Sequence, residues 1–242
     1  RHIDLYDRAD MIPFDKLTAF FEEENTMKKH DALDQRQQSI IPIAAFTADG
    51  AINRLKPALN QGLDAGLTVN EIKEVLVHLY AYTGFPRSLN AMSAFMGVLD
   101  ERKAKGIEDA PGREASPVPS NLDRNVYGAK VRAMLAGRET DISGARWQLF
   151  SPAIDTFLKE HLFADIFVRD VISHQDRELV TIAALANMTG TEGQLRFHLG
   201  AAMNTGLTQA QMKDFISVLN TTVGNAQAES AQKILTEVLN EQ

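Results

Sequence analysis

An all-α fold built from two tandem units is what this sequence predicts, and three observations carry it. The chain contains nearly the same stretch twice. Gly66-Leu67-Thr68 is followed by Glu71, Ile72, Val75, Leu76, Leu79, Gly84 and Ala91. Starting 140 residues later, Gly206-Leu207-Thr208 is followed at matching positions by Gln211, Met212, Phe215, Ile216, Leu219, Gly224 and Ala231. Upstream, Ser39 to Phe46 lines up with Glu178 to Leu185 at an offset of 139, so one residue is gained or lost in the loop between the two blocks. Second, apolar residues recur at helical spacing and no stretch alternates as a half-buried strand does. Third, helix stop and start signals occur in matching places: a Gly, then Thr-x-x-Glu in one copy and Thr-x-x-Gln in the other. Two similar helical units must bury similar apolar faces.

In chain order, Phe14, Leu17, Phe20, Phe21 and Met27 predict an amphipathic helix over 12–29. Residues 34–48 read as a buried helix, with Pro42 expected to kink it or to mark a first turn. The next helix covers 51–65 and stops at Gly66, a residue suited to a left-handed cap. Thr68 and Glu71 form a capping box that opens a helix ending near Gly84, with Pro86 beyond it and a further helix over 87–104. Residues 105–123 carry Gly106, Pro111, Gly112, Pro117 and Pro119 among charges and read as a linker. The first unit is therefore 1–104 and the second 124–242. In the second, helices are expected near 125–136, 153–169, 176–188, 192–205, 209–223 and 225–240.

Composition narrows the function. Lys and Arg number 25 against 32 Asp and Glu, a formal charge of −7, which argues against binding to nucleic acid. No apolar run approaches the roughly 20 residues of a membrane span. A cytoplasmic protein is the first expectation; an exported one is the alternative, because the chain opens at Arg1 and a processed leader is compatible with that. The count of cysteines is 0, which excludes disulfides, thiolate metal sites and thiol redox chemistry by this chain. No phosphate loop, nucleophile elbow or H-E-x-x-H motif occurs, and no metal site or cofactor is expected.

The run from Glu71 to His78, then Tyr82-Thr83-Gly84-Phe85-Pro86, resembles the signature of the carboxymuconolactone decarboxylase family. In the second unit, Arg196-Phe197-His198 with Ala202 and Gly206-Leu207-Thr208 resembles the same family's His block, and Gly128, Arg132, Leu135 and Gly137 fit its usual entry. The resemblance implies an AhpD-like all-α fold and a homo-oligomer, with a trimer favoured. It also implies one of two activities: cofactor-free decarboxylation of a carboxylated lactone, or disulfide-based peroxidase chemistry of the peroxiredoxin-related branch. Residue by residue, His198 matches the family His and Glu178 the upstream Glu of the peroxidase branch. Thr191 and Gln194 stand at the two cysteine positions, so the peroxidase route as usually run is closed. The decarboxylase branch usually has Glu at the position of Gln194. In the first unit Ser39, Arg54 and Ala58 occupy the places of Glu178, Gln194 and His198, while His78 of the first unit is replaced by Val218 in the second.

The candidate catalytic residues are His198, a proton shuttle near neutral pH, and Glu178, its orienting partner from an adjacent antiparallel helix. The alternative for His198 is a core histidine satisfied by its surroundings, and for Glu178 a solvated charge beside Arg177. Candidate substrate contacts are Gln194, one helical turn before His198, His78 and Tyr82 from the first unit, and Arg54 and Arg196 as carboxylate forks. Each arginine has a surface charge as its alternative, His78 a packed helix-end histidine, and Tyr82 a pocket wall. The expected substrate is a small acidic or lactone-type metabolite. A catalytically inactive binding or scaffold protein is the alternative, and a thiol-independent relative of the alkylhydroperoxidase branch the third.

Overall fold

The computed structural model describes residues 32–242, and the helix expected over 12–29 lies outside them. Among the described residues every regular element is helical. Helix α1 (Gln35–Asp49) opens on an Asp34–Gln37 capping box and closes on Gly50, whose φ of 71° is the left-handed turn a glycine tolerates. Pro42 sits in its interior rather than in its first turn, and the helix runs through it. Helix α2 spans Ile52–Asp64. Helix α3 spans Val69–Ala104, and the two helices expected on either side of Gly84 form this one kinked element, with Gly84 at φ 81° and ψ 162°. Thr68 caps it as expected: the Glu71 N–H donates to Thr68 Oγ1 at 3.1 Å and the Thr68 N–H donates to Glu71 Oε1 at 3.0 Å.

The second unit contains α4 (Arg124–Leu135), the short α5 (Arg146–Phe150) and α6 (Pro152–Thr156), and then a π-helical segment, Phe157–Ile166. Sequence periodicity suggested one ordinary helix over 153–169; the wider winding here is a difference. Then come α7 (His174–Ala186), α8 (Glu192–Asn204), α9 (Gln209–Val218), a π-helical turn Leu219–Val223, and α10 (Asn225–Asn240). The capping box at Thr208 and Gln211 repeats that at Thr68.

The two units interlock. Their equivalent first helices, α1 and α7, pack on each other; α7 also packs on α3, and α1 packs on α9 and the π-helical turn after it. One apolar core therefore runs through both, from Ile40, Ile43 and Leu59 to Leu179, Ile182 and Phe215. Arg36 of α1 ties the units electrostatically, with an ion pair to Asp176 at 2.9 Å and another to Glu71. A second apolar cluster joins α4 to the Phe157–Ile166 segment through Tyr127, Val131, Phe163 and Phe167, and Tyr80 and Tyr82 of α3 pack against it.

The 105–123 segment is irregular and is fastened to residues on both sides of it. Ala110 and Pro111 carbonyls accept the Val69 and Asn70 N–H groups at 3.0 and 2.9 Å, beside the α3 N-terminus. At its other end Ser116 donates from its N–H and its hydroxyl to Asp170. No helix among the described residues is long and apolar enough to cross a membrane.

Candidate active site

The buried polar residues collect where α3 of the first unit meets α7 and α8 of the second. Helix α7 presents Glu178, Arg177 and Thr181, all 0% exposed, because its whole circumference is covered by α1, α3 and α8. Helix α3 presents Glu74, His78 and Tyr82, spaced at i, i+4 and i+8 on one face. From α8 comes His198, 6% exposed.

His198 Nδ1 lies 2.7 Å from Glu178 Oε2. A carboxylate only accepts, so Nδ1 carries the hydrogen and Nε2 is the nitrogen left for chemistry. The imidazole is flanked edge-on by Tyr82 at 5.5 Å and Phe197 at 5.0 Å between ring centroids. Two buried polar atoms next to this pair have no hydrogen-bond partner, Glu178 Oε1 and the Tyr82 hydroxyl. The Thr181 hydroxyl lies nearby and opposes, by a smaller amount, the two causes that raise the Tyr82 pKa. Burial first, and then the Glu178 carboxylate, raise the Tyr82 pKa above its ordinary value, so the phenol stays protonated.

Behind the pair stands a second layer. Arg177 donates to Glu74 Oε2 at 2.9 Å and to the Arg169 carbonyl at 2.7 Å, and Arg169 grips Glu74 from the more exposed side at 2.8 Å. Arg177 also faces His78 Nδ1 at 3.2 Å. Guanidinium has no lone pair to offer, so this nitrogen of His78 accepts, and its Nε2–H donates to Thr181 Oγ1 at 2.8 Å. Thr181 passes its own proton to the Arg177 carbonyl at 2.9 Å. His78 is thereby fixed as a neutral imidazole, and burial, then the Arg177 charge, hold its pKa well below the usual histidine value. His78, expected as a substrate contact, is engaged inside the protein at both nitrogens and its ring backs Tyr82 at 5.4 Å.

Of the other expected contacts, Gln194 is exposed in the first turn of α8. Arg196 is engaged on the surface by Glu237 of α10 and, at 3.3 Å, by Glu241 just beyond that helix. Arg54 stacks on Phe46 at 4.2 Å and donates to the Thr222 and Val223 carbonyls at 3.0 and 2.8 Å. These contacts fasten it to the end of the Leu219–Val223 turn. Thr222 is also the repeat-related counterpart of Tyr82, so in the other copy Arg54 lies against the equivalent place. There Ser39 bonds its own helix at Gln35 and Ala58 replaces the histidine. The solvated alternative for Glu178 also fails, since that side chain is wholly buried.

Sequence inspection did not single out Glu74, Arg177 and Thr181 as members of the cluster. Their signal was present as the i, i+4 pairs Glu74–His78 and Arg177–Thr181, each on one helical face.

The family model described as the carboxymuconolactone decarboxylase family matches this chain twice, over residues 15–96 and 152–237. The chain belongs to the carboxymuconolactone decarboxylase family. The two matches coincide with the two repeats, and the acid–imidazole pair falls in the second. Among relatives of this family member is the 4-carboxymuconolactone decarboxylase of Acinetobacter baylyi (strain ATCC 33305 / BD413 / ADP1), 28% identical over 116 residues, which is 48% of this chain and 86% of that protein.

Proposed function

We propose that this family member is a decarboxylase or proton-transfer enzyme acting on a small acidic or lactone-type metabolite without a cofactor, with His198 as the proton donor and Glu178 as its orienting partner. The observation that carries the proposal is the Glu178–His198 contact at 2.7 Å with the carboxylate wholly buried. Burying a carboxylate and leaving one of its oxygens unpaired is unfavourable for stability, so its retention calls for another reason. Holding an imidazolium while it gives its proton to carbon is such a reason. Loss of CO2 leaves a delocalised anion, and a site that holds a proton next to it completes the reaction. A cytoplasmic homo-oligomer, a trimer for preference, belongs to this proposal as its setting.

The test is CO2 release from a panel of lactone carboxylates and keto acids. H198Q and E178Q are expected to lower kcat on an accepted substrate by about 10²- to 10⁴-fold while the helical circular dichroism is kept. Undiminished turnover in H198Q would sink the assignment. The second reading is a binding or scaffold protein without chemistry. Its support is the repeat-related position, where Ser39, Ala58 and Arg54 stand in a folded unit with no acid–imidazole pair.

A further inference from the structure

The Tyr82 hydroxyl is the one group of the site that comes from the first unit and still has a hydrogen to give. Its oxygen is buried, has no hydrogen-bond partner, and belongs to a ring that meets His198 edge-on at 5.5 Å. An unpaired buried donor weakens the free protein, and becomes useful when an acceptor arrives. The ring is fixed from behind by His78 at 5.4 Å, itself locked by Arg177 and Thr181. Little reorganisation is therefore needed when negative charge develops in front of it.

We infer that Tyr82 is a catalytic residue whose hydroxyl binds the oxyanion formed during decarboxylation at His198. This rests on the proposed role of His198. The carboxylate leaves as CO2 when its C–C bond breaks, and the electron pair flows through the adjacent carbon onto the carbonyl oxygen, giving an enolate. Tyr82 donates its hydrogen bond to that oxygen and keeps its proton. His198 Nε2 delivers a proton to the carbon, and solvent restores it. The net change is carboxylate plus one proton to product plus CO2, with no oxidant or reductant. A carboxylate with no carbonyl to receive the electron pair gives Tyr82 nothing to bind and is not a substrate.

The test uses the full chain and tetronic acid, an enolic five-membered lactone that is an anion at neutral pH. Calorimetry is expected to show one tetronate per chain, because the repeat-related place has no histidine and is occupied by Arg54. Y82F is expected to weaken it by about 10- to 100-fold and H198Q also to weaken it, while Y82F unfolds at the same or a higher temperature than the wild type. Site-specific 3-fluorotyrosine at position 82 keeps the ring and strengthens the donor, so it should tighten tetronate binding whatever the behaviour of Y82F. If Y82F and the fluorinated protein bind like the wild type while H198Q is weakened, the Tyr82 assignment is overturned and the role of His198 stands. If tetronate does not bind the wild type, or no substitution changes its binding, both assignments fall.

Discussion

Glu74 shows how strongly the fate of one side chain here depends on its partners. It is 1% exposed and neutralises Arg177, which is wholly buried, as well as Arg169. Truncation in E74A leaves the Arg177 guanidinium without its counter-ion, and a stranded buried charge costs about 3–5 kcal/mol. Urea denaturation should register that loss. Arg54 is a different case. Its bonds to the Thr222 and Val223 carbonyls and its stacking on Phe46 are partly exposed to water, so R54A is expected to lose only about 1–2 kcal/mol. Under the proposed function its turnover should match the wild type; a selective fall in kcat would place Arg54 in the chemistry.

At the scale of elements, the contact between α4 and the π-helical segment depends on one small residue. A Cβ added at Gly128 would lie 1.7 Å from the Lys159 carbonyl oxygen, a backbone atom that cannot swing away. G128A must push the two elements apart, at a cost of about 3 kcal/mol, which a thermal melt would show as a lowered midpoint. The linker has a similar point at Gly112, where φ is 77° and a Cβ would meet Thr68 Oγ1 at 2.2 Å. That close approach explains why a segment with linker composition is anchored at the α3 N-terminus and does not hang free.

For the whole molecule, two of the buried histidines, His78 and His174, make stability depend on pH. Burial, then the Arg177 charge, push the His174 pKa down to about 4, and the same two causes hold that of His78 well below 6.5. Between about 4 and 6.5 the unfolded chain binds protons at these sites that the folded chain does not, so stability rises with pH across that window. It is fully present above about 6.5 and is lost as the pH falls. His174 alone accounts for roughly 3 kcal/mol of that change. Denaturation midpoints at pH 7.5 and pH 5 should differ accordingly, and H174Q should flatten the dependence. For Asp155, Asp165 and Asp170 burial acts upward but the hydrogen-bonded and charged partners together outweigh it and lower the pKa, so their loss is added only below the ordinary aspartate value of 3.8.

What the sequence by itself determined is what neighbouring residues decide: the all-α class, the repeat, the helix end at Gly66, the break at Gly84, and the Thr68 and Thr208 capping boxes. Capping, left-handed glycines and 3.6-residue periodicity act within a few residues, so one strand of text contains them. The family resemblance is what pointed to Glu178 and His198, and the alignment of the two copies put Ser39 and Ala58 in their places in the first unit. Tertiary structure alone decided which faces meet across the two units. It put Arg177 of the second unit on Glu74 and His78 of the first, occupied both nitrogens of His78, turned Gln194 to solvent, and sent Arg54 and Arg196 to other partners. It also wound Phe157–Ile166 as a π-helix against α4. Each of those outcomes depends on contacts between residues up to 169 apart in the chain, as for Arg54 and Val223. Periodicity says that a face is buried, but the partner that covers it is chosen only when the helices pack.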